Sequence, residues 1–171
     1  TDGVGGFDTL NYAFNVSTVV IGSSTYALVS AYIDNGLEIV NIGQGNPTLS
    51  AAAYDASTGI LTVTGTNLAS NSGANNDIDI SKLTLTGEGS NTYTLTSADV
   101  ELTSATSFSV TLNAADLLQL AGLLNKNGTS SGGGNTYNIA AALNWNPGAS
   151  SSPADNTGNA ITVSNVTAPT L

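Results

Sequence analysis

Apolar and polar residues alternate along most of the chain after residue 46. Leu61 and Val63, for example, alternate with Thr62 and Thr64, which places the apolar side chains on one face of a strand. Runs of this kind return at intervals of about 8 to 12 residues as far as residue 166, separated by turns rich in Gly, Asn and Asp. The pattern predicts about eight strands and an all-β fold, and the spacing is typical of a β-sandwich.

One segment, residues 113–124, has helical spacing instead. Asn113 can cap a helix, Asp116 follows at the third helical position, and leucines come three and four residues apart. Asn127 and Gly128 provide a stop signal. The segment predicts one short helix that closes one end of the sandwich, with its leucines in the core.

Residues 1–46 have a different texture. Runs rich in β-branched and aromatic residues are separated by short polar turns, and Asn35-Gly36 is a strong hairpin signal. The pattern predicts a small antiparallel β segment, followed by a linker at residues 43–46. Its three strands are predicted at residues 10–21, 25–33 and 37–42.

A recurring tripeptide predicts the bounds of the second domain. Pro47-Thr48-Leu49 returns as Pro169-Thr170-Leu171, and the spacing is 169 − 47 = 122 residues. The recurrence predicts one domain over residues 47–166, with residues 167–171 as the start of another repeat or as a strand exchanged with a neighbour. Tandem arrays of small β-domains are usually extracellular and structural.

The charge of the chain limits its partners. Two lysines stand against twelve acids, and the formal net charge is −10. Such a surface cannot neutralise phosphates and would be repelled by an anionic membrane surface, so nucleic acid is not expected as a partner. No apolar run in the sequence approaches the ~20 residues that span a bilayer, so membrane insertion is not expected either.

Catalysis is not expected from this composition. The sequence contains no Cys and no His, which excludes thiol nucleophiles, His-dependent triads and the usual zinc sites. Asp99 and Glu101 could share one face of a strand, like the paired carboxylates of a glycosidase. A solvated strand face explains the same pair, and we therefore predict a non-enzymatic protein.

The acidic and amide side chains favour calcium, which takes about six to eight oxygen ligands. Asp77 and Asp79, with Asn76 before them, could supply half of a site at the start of a strand. Asp55 and Asp155 could contribute to further sites near the ends of the domain. The alternative is that these acids are hydrated loop residues that keep the surface soluble.

Aromatic residues raise a carbohydrate-binding hypothesis. Trp145 lies between two asparagines, and Tyr137 precedes it in the same predicted strand. Trp145 also continues the alternation of Ile139, Ala141 and Leu143. That alternation favours a place in the core for the indole ring.

The opening of the chain is a glycine-rich turn that leads into a predicted strand. Through Gly3, Gly6 and Asp8 it resembles the calcium-binding nonapeptide repeat of RTX proteins, with Val4 where the second glycine of the repeat belongs. The resemblance implies that Asp8 is a candidate calcium ligand. It also implies that residues 1–46 are an RTX-like β segment with its linker.

An Asp-containing turn at residues 54–59, followed by the sequence LTVTGTNL, marks the second domain. This order resembles bacterial immunoglobulin-like tandem repeats of large RTX-type adhesins and surface proteins. The motifs at residues 82–87 and 161–165 belong to the same resemblance, which runs from residue 47 to about residue 166. It implies an immunoglobulin-like β-sandwich with one short helix, in a secreted or cell-surface protein.

Pattern, composition and resemblance together predict a non-enzymatic structural or adhesive module of a large secreted or cell-surface bacterial protein, stabilised by calcium. An adhesin, a surface layer or a biofilm matrix would contain such a module. Its expected partners are neighbouring repeats, copies of itself and surface polysaccharide. Two alternatives stay open: a self-assembling subunit that forms an extracellular filament or sheet by strand exchange, and a carbohydrate-binding module.

Overall fold

The structure, a computed structural model, describes residues 16–21, 24–33, 36–41, 45–156 and 158–167. The chain divides into two compact units, residues 1–43 and residues 44–171, and the division falls inside the predicted linker. Asp8 with its glycine-rich turn lies outside the described residues. Residues 168–171, which carry the second copy of the tripeptide, also lie outside them.

The first unit contains three described strands, β1 (Val16–Ile21), β2 (Ser24–Ile33) and β3 (Gly36–Asn41). They form an antiparallel sheet in the order β1-β2-β3. The three predicted antiparallel strands are therefore confirmed over the described residues. The pairing of Ile33 with Gly36 agrees with the hairpin that Asn35-Gly36 predicts.

The second unit contains eight strands and one α-helix within residues 45–156 and 158–167. Short 3₁₀ turns at Ile80–Lys82 and Glu88–Ser90 flank one of the strands. The elements are β4 (Thr48–Asp55), β5 (Ile60–Thr66), β6 (Leu83–Thr86), β7 (Thr92–Thr94), β8 (Leu102–Ser104), β9 (Ser107–Thr111), α1 (Ala114–Leu123), β10 (Asn138–Ala141) and β11 (Ala160–Ser164).

All eight strands hydrogen-bond in one mixed sheet, in the order β7-β6-β10-β11-β4-β5-β9-β8. The sheet is curled into a half-barrel. The prediction of a β-rich unit with one short helix is confirmed. The predicted sandwich would have two separate sheets. In the structure β11 pairs with β4, which joins β7, β6 and β10 on one side to β5, β9 and β8 on the other in a single sheet.

Side chains from the sheet and the helix fill one core. Leu61 and Val63 of β5 are fully buried, as their alternation with threonines predicts. Leu120 and Leu124 bring the helix into the same cluster. Asn113 caps α1, and its Oδ1 accepts a hydrogen bond from the backbone of Asp116 at 2.9 Å, so the predicted helix and its cap are confirmed.

Two predicted strands differ from the observed ones. The strand predicted to start at Asp77 and Asp79 is replaced by an isolated bridge at Ile78 and the 3₁₀ turn that follows it. The strand expected over residues 137–145 ends at Ala141, and Leu143 is 62 % exposed. Asn144, in the turn after the strand, has a left-handed φ of 64° just before Trp145.

Candidate functional site

The first and last strands of the second unit lie side by side and parallel. Residues 160–164 of β11 pair in register with residues 51–55 of β4, from Ala160 opposite Ala51 to Ser164 opposite Asp55. We call this pair of strands, together with the residues that bond across its two ends, the terminal seam. Because the strands are parallel, the chain comes into the unit at one end of the seam and leaves it at the other.

Alternating side chains fix the orientation of both strands. Ala52 and Tyr54 of β4 and Ile161 and Val163 of β11 are buried in the core. The opposite face carries small or hydroxyl residues, including the hydroxyl pair of Thr48 and Thr66 at 2.8 Å. A shift of one residue would turn the apolar positions of either strand outward, so burial specifies this register.

An aspartate closes the start of the seam. Asp155 Oδ2 accepts a hydrogen bond from the backbone N–H of Leu49 at 2.8 Å. Its Oδ1 accepts from Asn159 Nδ2 at 2.9 Å, and its backbone bonds reciprocally with Ala141. The loop before β11 is thereby attached to the first residues of β4.

A second aspartate closes the end of the seam. Asp55 Oδ1 accepts from Asn165 Nδ2 at 3.0 Å and from the backbone of Ser57 at 2.9 Å. These bonds lower the pKa of the half-buried Asp55 carboxyl below its usual range, and the hydrogen bond from Asn165 has the largest effect. The backbone N–H of Ala56 also donates to the carbonyl oxygen of Ser164 at 3.0 Å.

A groove of about 260 Å³ opens beside the end of the seam. Helix α1 supplies an apolar wall, and the last described residues of the chain form another side. It is lined by Tyr54, Ala56, Leu117, Ala121, Leu124, Asn165, Val166 and Thr167.

Backbone N–H groups bond to the acidic residues predicted to bind calcium. Asp55 and Asp155 lie at opposite ends of the seam. Asp77 accepts from the backbone N–H groups of Asn71 and Leu102, the second at 2.8 Å. Asp79 accepts from the backbone of Ser81 at 3.0 Å and caps the 3₁₀ turn. Each of these four carboxylates therefore accepts at least one backbone N–H group from the described chain.

Asn76 keeps one buried acceptor without a partner. Its Nδ2 donates to the carbonyl oxygen of Ser72 at 2.9 Å, and its backbone N–H donates to Glu101 Oε1 at 3.1 Å. Its Oδ1 is buried and accepts no hydrogen bond. Among the described residues, no group of three acids is arranged so that it could hold a metal ion. Calcium binding stays a prediction.

The two aromatic residues of the carbohydrate hypothesis are inside the protein. Trp145 and Tyr137 are both 0 % exposed. Trp145 Nε1 donates to the carbonyl oxygen of Pro153 at 3.1 Å, and the Tyr137 hydroxyl donates to that of Lys126 at 3.2 Å. The core interpretation of Trp145 is confirmed, and neither ring presents a face on which a sugar could stack.

Sequence reasoning missed the role of Asp116. This fully buried carboxylate accepts from the backbone and hydroxyl groups of Thr96 and Ser97 and from the hydroxyl group of Tyr93. Burial alone would raise the pKa of Asp116, but the bonds from Ser97, Thr96 and Tyr93 outweigh it and lower the pKa. An acid three residues after a helix cap indicated a capping role, whereas the donors of residues 93–97 come from a distant segment. We call Asp116 and its donor residues Tyr93, Thr96 and Ser97 the Asp116 cluster.

Comparison of the chain with protein-family models, with curated proteins and with solved structures found no match in any of the three. None of the helices in the described parts of the chain is long and apolar enough to cross a membrane.

Proposed function

We propose that this protein is a non-enzymatic structural module of a large secreted or cell-surface bacterial protein, in which the second unit acts as a spacer. The observation that carries the proposal is the parallel pairing of β4 with β11. The chain passes through the unit from one end of the seam to the other. Modules joined head to tail by such strands would extend one another instead of folding back.

The sequence supports the same proposal through the 122-residue recurrence and the resemblance to immunoglobulin-like tandem repeats. That classification is part of the proposal; the observed β-rich unit with one helix is compatible with an all-β module. A secreted or surface location rests on the resemblance and on the composition, which combines abundant Thr, Ser, Asn and Gly with only two lysines.

Small-angle scattering tests the spacer function. Additional copies of residues 47–168 would be inserted after Ala168 of the full chain, which preserves the 122-residue period. Each copy should increase the maximum dimension by at least ~25 Å, the length of an eight-residue strand at about 3.3 Å per residue. Copies that leave the maximum dimension nearly unchanged would overturn the proposal.

The alternative of self-assembly predicts a different behaviour. The edge strands of the eight-stranded sheet, Thr92–Thr94 and Leu102–Ser104, are only three residues long. Short edges offer little backbone for pairing with another chain. We therefore expect size-exclusion chromatography of the 171-residue chain to give a monomer at micromolar concentration, whereas concentration-dependent polymers would favour the alternative.

Calcium is a second candidate function, favoured by one observation. The buried Oδ1 of Asn76 has no partner, and a cation would satisfy it together with the neighbouring Asp77 and Glu101 carboxylates. Such an ion would fix the loop at residues 71–77 and would make the stability of the module depend on calcium concentration.

Thermal unfolding in calcium and in excess chelator tests this second function. Calcium should raise the melting temperature by several degrees, and Asn76→Ala should abolish the rise because it removes the unpaired acceptor. Asn75→Gly is the matched control, since Asn75 is exposed and its φ of 53° suits glycine. Identical melting curves of the unmodified chain in calcium and in chelator would remove calcium from the proposal.

A further inference from the structure

We infer that the terminal seam is a mechanical clamp, which makes the module resist tension along the chain. The inference rests on the proposed spacer function, because only a module with chain on both sides is pulled by its two ends. The directions of its first and last strands provide the physical basis.

Tension loads the seam in shear. A force on the chain before Thr48 pulls β4 toward the start of the seam, whereas a force after Ser164 pulls β11 toward its end. The two strands are therefore pulled in opposite directions along their common axis. Five residue pairs lie in register between them, so their hydrogen bonds resist sliding together and do not open one at a time.

Both ends of the seam are reinforced by bonds outside the ladder. At the start, Asp155 Oδ2 accepts from the backbone of Leu49 at 2.8 Å. At the end, the backbone of Ala56 donates to Ser164 at 3.0 Å, and Asn165 Nδ2 donates to Asp55 at 3.0 Å. The resisting contact extends beyond the five ladder pairs in both directions.

Each seam strand is also anchored to the rest of the unit. β4 pairs along its whole length with β5, from Thr48 opposite Thr66 to Asp55 opposite Ile60. Val163 of β11 exchanges two backbone hydrogen bonds with Gly128, each 2.8 Å long. Because both strands are held on their outer sides, tension acts on the bonds between them and does not simply remove a loose edge strand.

Single-molecule pulling of the full chain in two directions tests the clamp. The natural sequence has no Cys, so an introduced pair gives unique attachment points. Asn46→Cys with Thr167→Cys loads the seam along its axis. Asn46→Cys with Asn156→Cys places both attachment points near the start of the seam, where the force peels β4 away. All three positions are exposed.

The axial direction should require a rupture force about threefold higher or more, because it loads five pairs at once and peeling breaks them in sequence. Unfolding in that direction should release about 400 Å of chain, from 167 − 46 = 121 residues at about 3.5 Å each, less the folded distance. Both variants should have the same melting temperature. The difference in rupture force would then come from the direction of pulling and not from a difference in stability.

A matched pair of variants refines the test. Asn165→Gly removes the side-chain bond to Asp55 and should lower the axial rupture force without changing the peeling force. Asn144→Gly should change neither force. Both residues are exposed and have left-handed φ angles, 57° and 64°, which glycine adopts without strain.

Equal rupture forces in the two directions would overturn the clamp. If the scattering dimension still grew with each added copy, the spacer function would stand and only its resistance to tension would fall. If the scattering dimension did not grow with each added copy but the axial rupture force was high, the spacer function would fall and the resistance to tension would stand.

Discussion

The terminal seam and the Asp116 cluster both depend on a carboxylate that accepts backbone N–H groups, but they differ in burial. Asp116 is fully buried and is surrounded by five donors from three residues. At the seam, Asp55 and Asp155 are only half-buried, and the backbone ladder supplies most of the contact.

This difference indicates two separate ways of holding the unit together. A buried carboxylate contributes much to the free energy of unfolding, because its donors have no water to replace it. A half-buried one contributes less, since water can replace its bonds. The force needed to rupture the seam depends instead on the direction of pulling, because that direction determines how many hydrogen bonds are loaded at once.

The largest expected effect belongs to the Asp116 cluster. Asp116→Ala leaves the buried donors of Ser97, and the donors of the more exposed Thr96, without their carboxylate acceptor, and we expect a loss of about 3 to 5 kcal/mol in the free energy of unfolding. Chemical denaturation measures it. Gln119→Ala on the exposed side of the same helix is the control and should change stability by less than about 0.5 kcal/mol. A loss below about 1 kcal/mol for Asp116→Ala would contradict the structural role of the cluster.

Acid should weaken the Asp116 cluster before it affects the backbone hydrogen bonds of the terminal seam. The pKa of Asp116 is lowered in the folded state, so its stabilisation is fully present above the unfolded pKa of about 3.9 and is lost as pH falls through the folded pKa. The half-buried Asp55 and Glu88 carboxyls, whose pKa values are also lowered, act in the same direction. The melting temperature should be nearly constant between about pH 5 and 7 and fall below about pH 4.

Asp116→Asn separates the contribution of the cluster to this acid dependence. The variant has no carboxyl at this position to titrate, so its melting temperature should fall less steeply below about pH 4, from a lower starting value. An acid dependence as steep as that of the unmodified chain would assign the effect to other carboxylates.

A glycine substitution should loosen the start of the seam. A Cβ on Gly65 would lie 2.2 Å from the backbone oxygen of Thr48, so Gly65→Ala must displace β4 and should lose about 1 to 3 kcal/mol. Gly122→Ala in α1 is the control, because nothing lies within 4 Å of its Cβ, and it should gain about 0.5 to 1 kcal/mol. Equal effects of the two variants in denaturation would contradict the close approach at Gly65.

The smallest thermodynamic effect is expected at the start of the seam. Asp155→Ala removes the acceptor of the Leu49 backbone and should lose about 1 kcal/mol, since water can replace part of the bond. Asn156→Ala is the control, because its exposed side chain lies outside the seam contacts. A loss as large as that of Asp116→Ala would remove the distinction between the two regions.

Local pattern predicted most elements of the described chain. The hairpin β2-β3, the turn after Asp55 and the helix with its Asn113 cap all depend on residues close together in sequence. The exposure of Leu143 and the isolated bridge at Ile78 escaped prediction. Both depend on what the loop at residues 142–159 and the segment at residues 99–102 contact after folding.

The candidate sites were less predictable than the elements. The sequence identified Asp55, Asp77, Asp79 and Asp155 as acids with few cations to pair with them, and this suggested a metal. The structure gives each of them at least one backbone N–H donor, and the donors of Leu49 and Leu102 come from distant segments of the chain. Composition counts charged groups but does not specify which N–H groups face them.

Pattern and composition alone specify a β-rich chain in two parts, one capped helix, and an acidic surface without the side chains of thiol or histidine chemistry. The parallel pairing of β11 with β4, which joins eight strands in one curled sheet and takes the chain across the unit from end to end, emerges only in the folded protein. The physical reason is that alternation specifies which face of a strand is buried, whereas its neighbour and direction are selected by contacts between residues more than 100 positions apart.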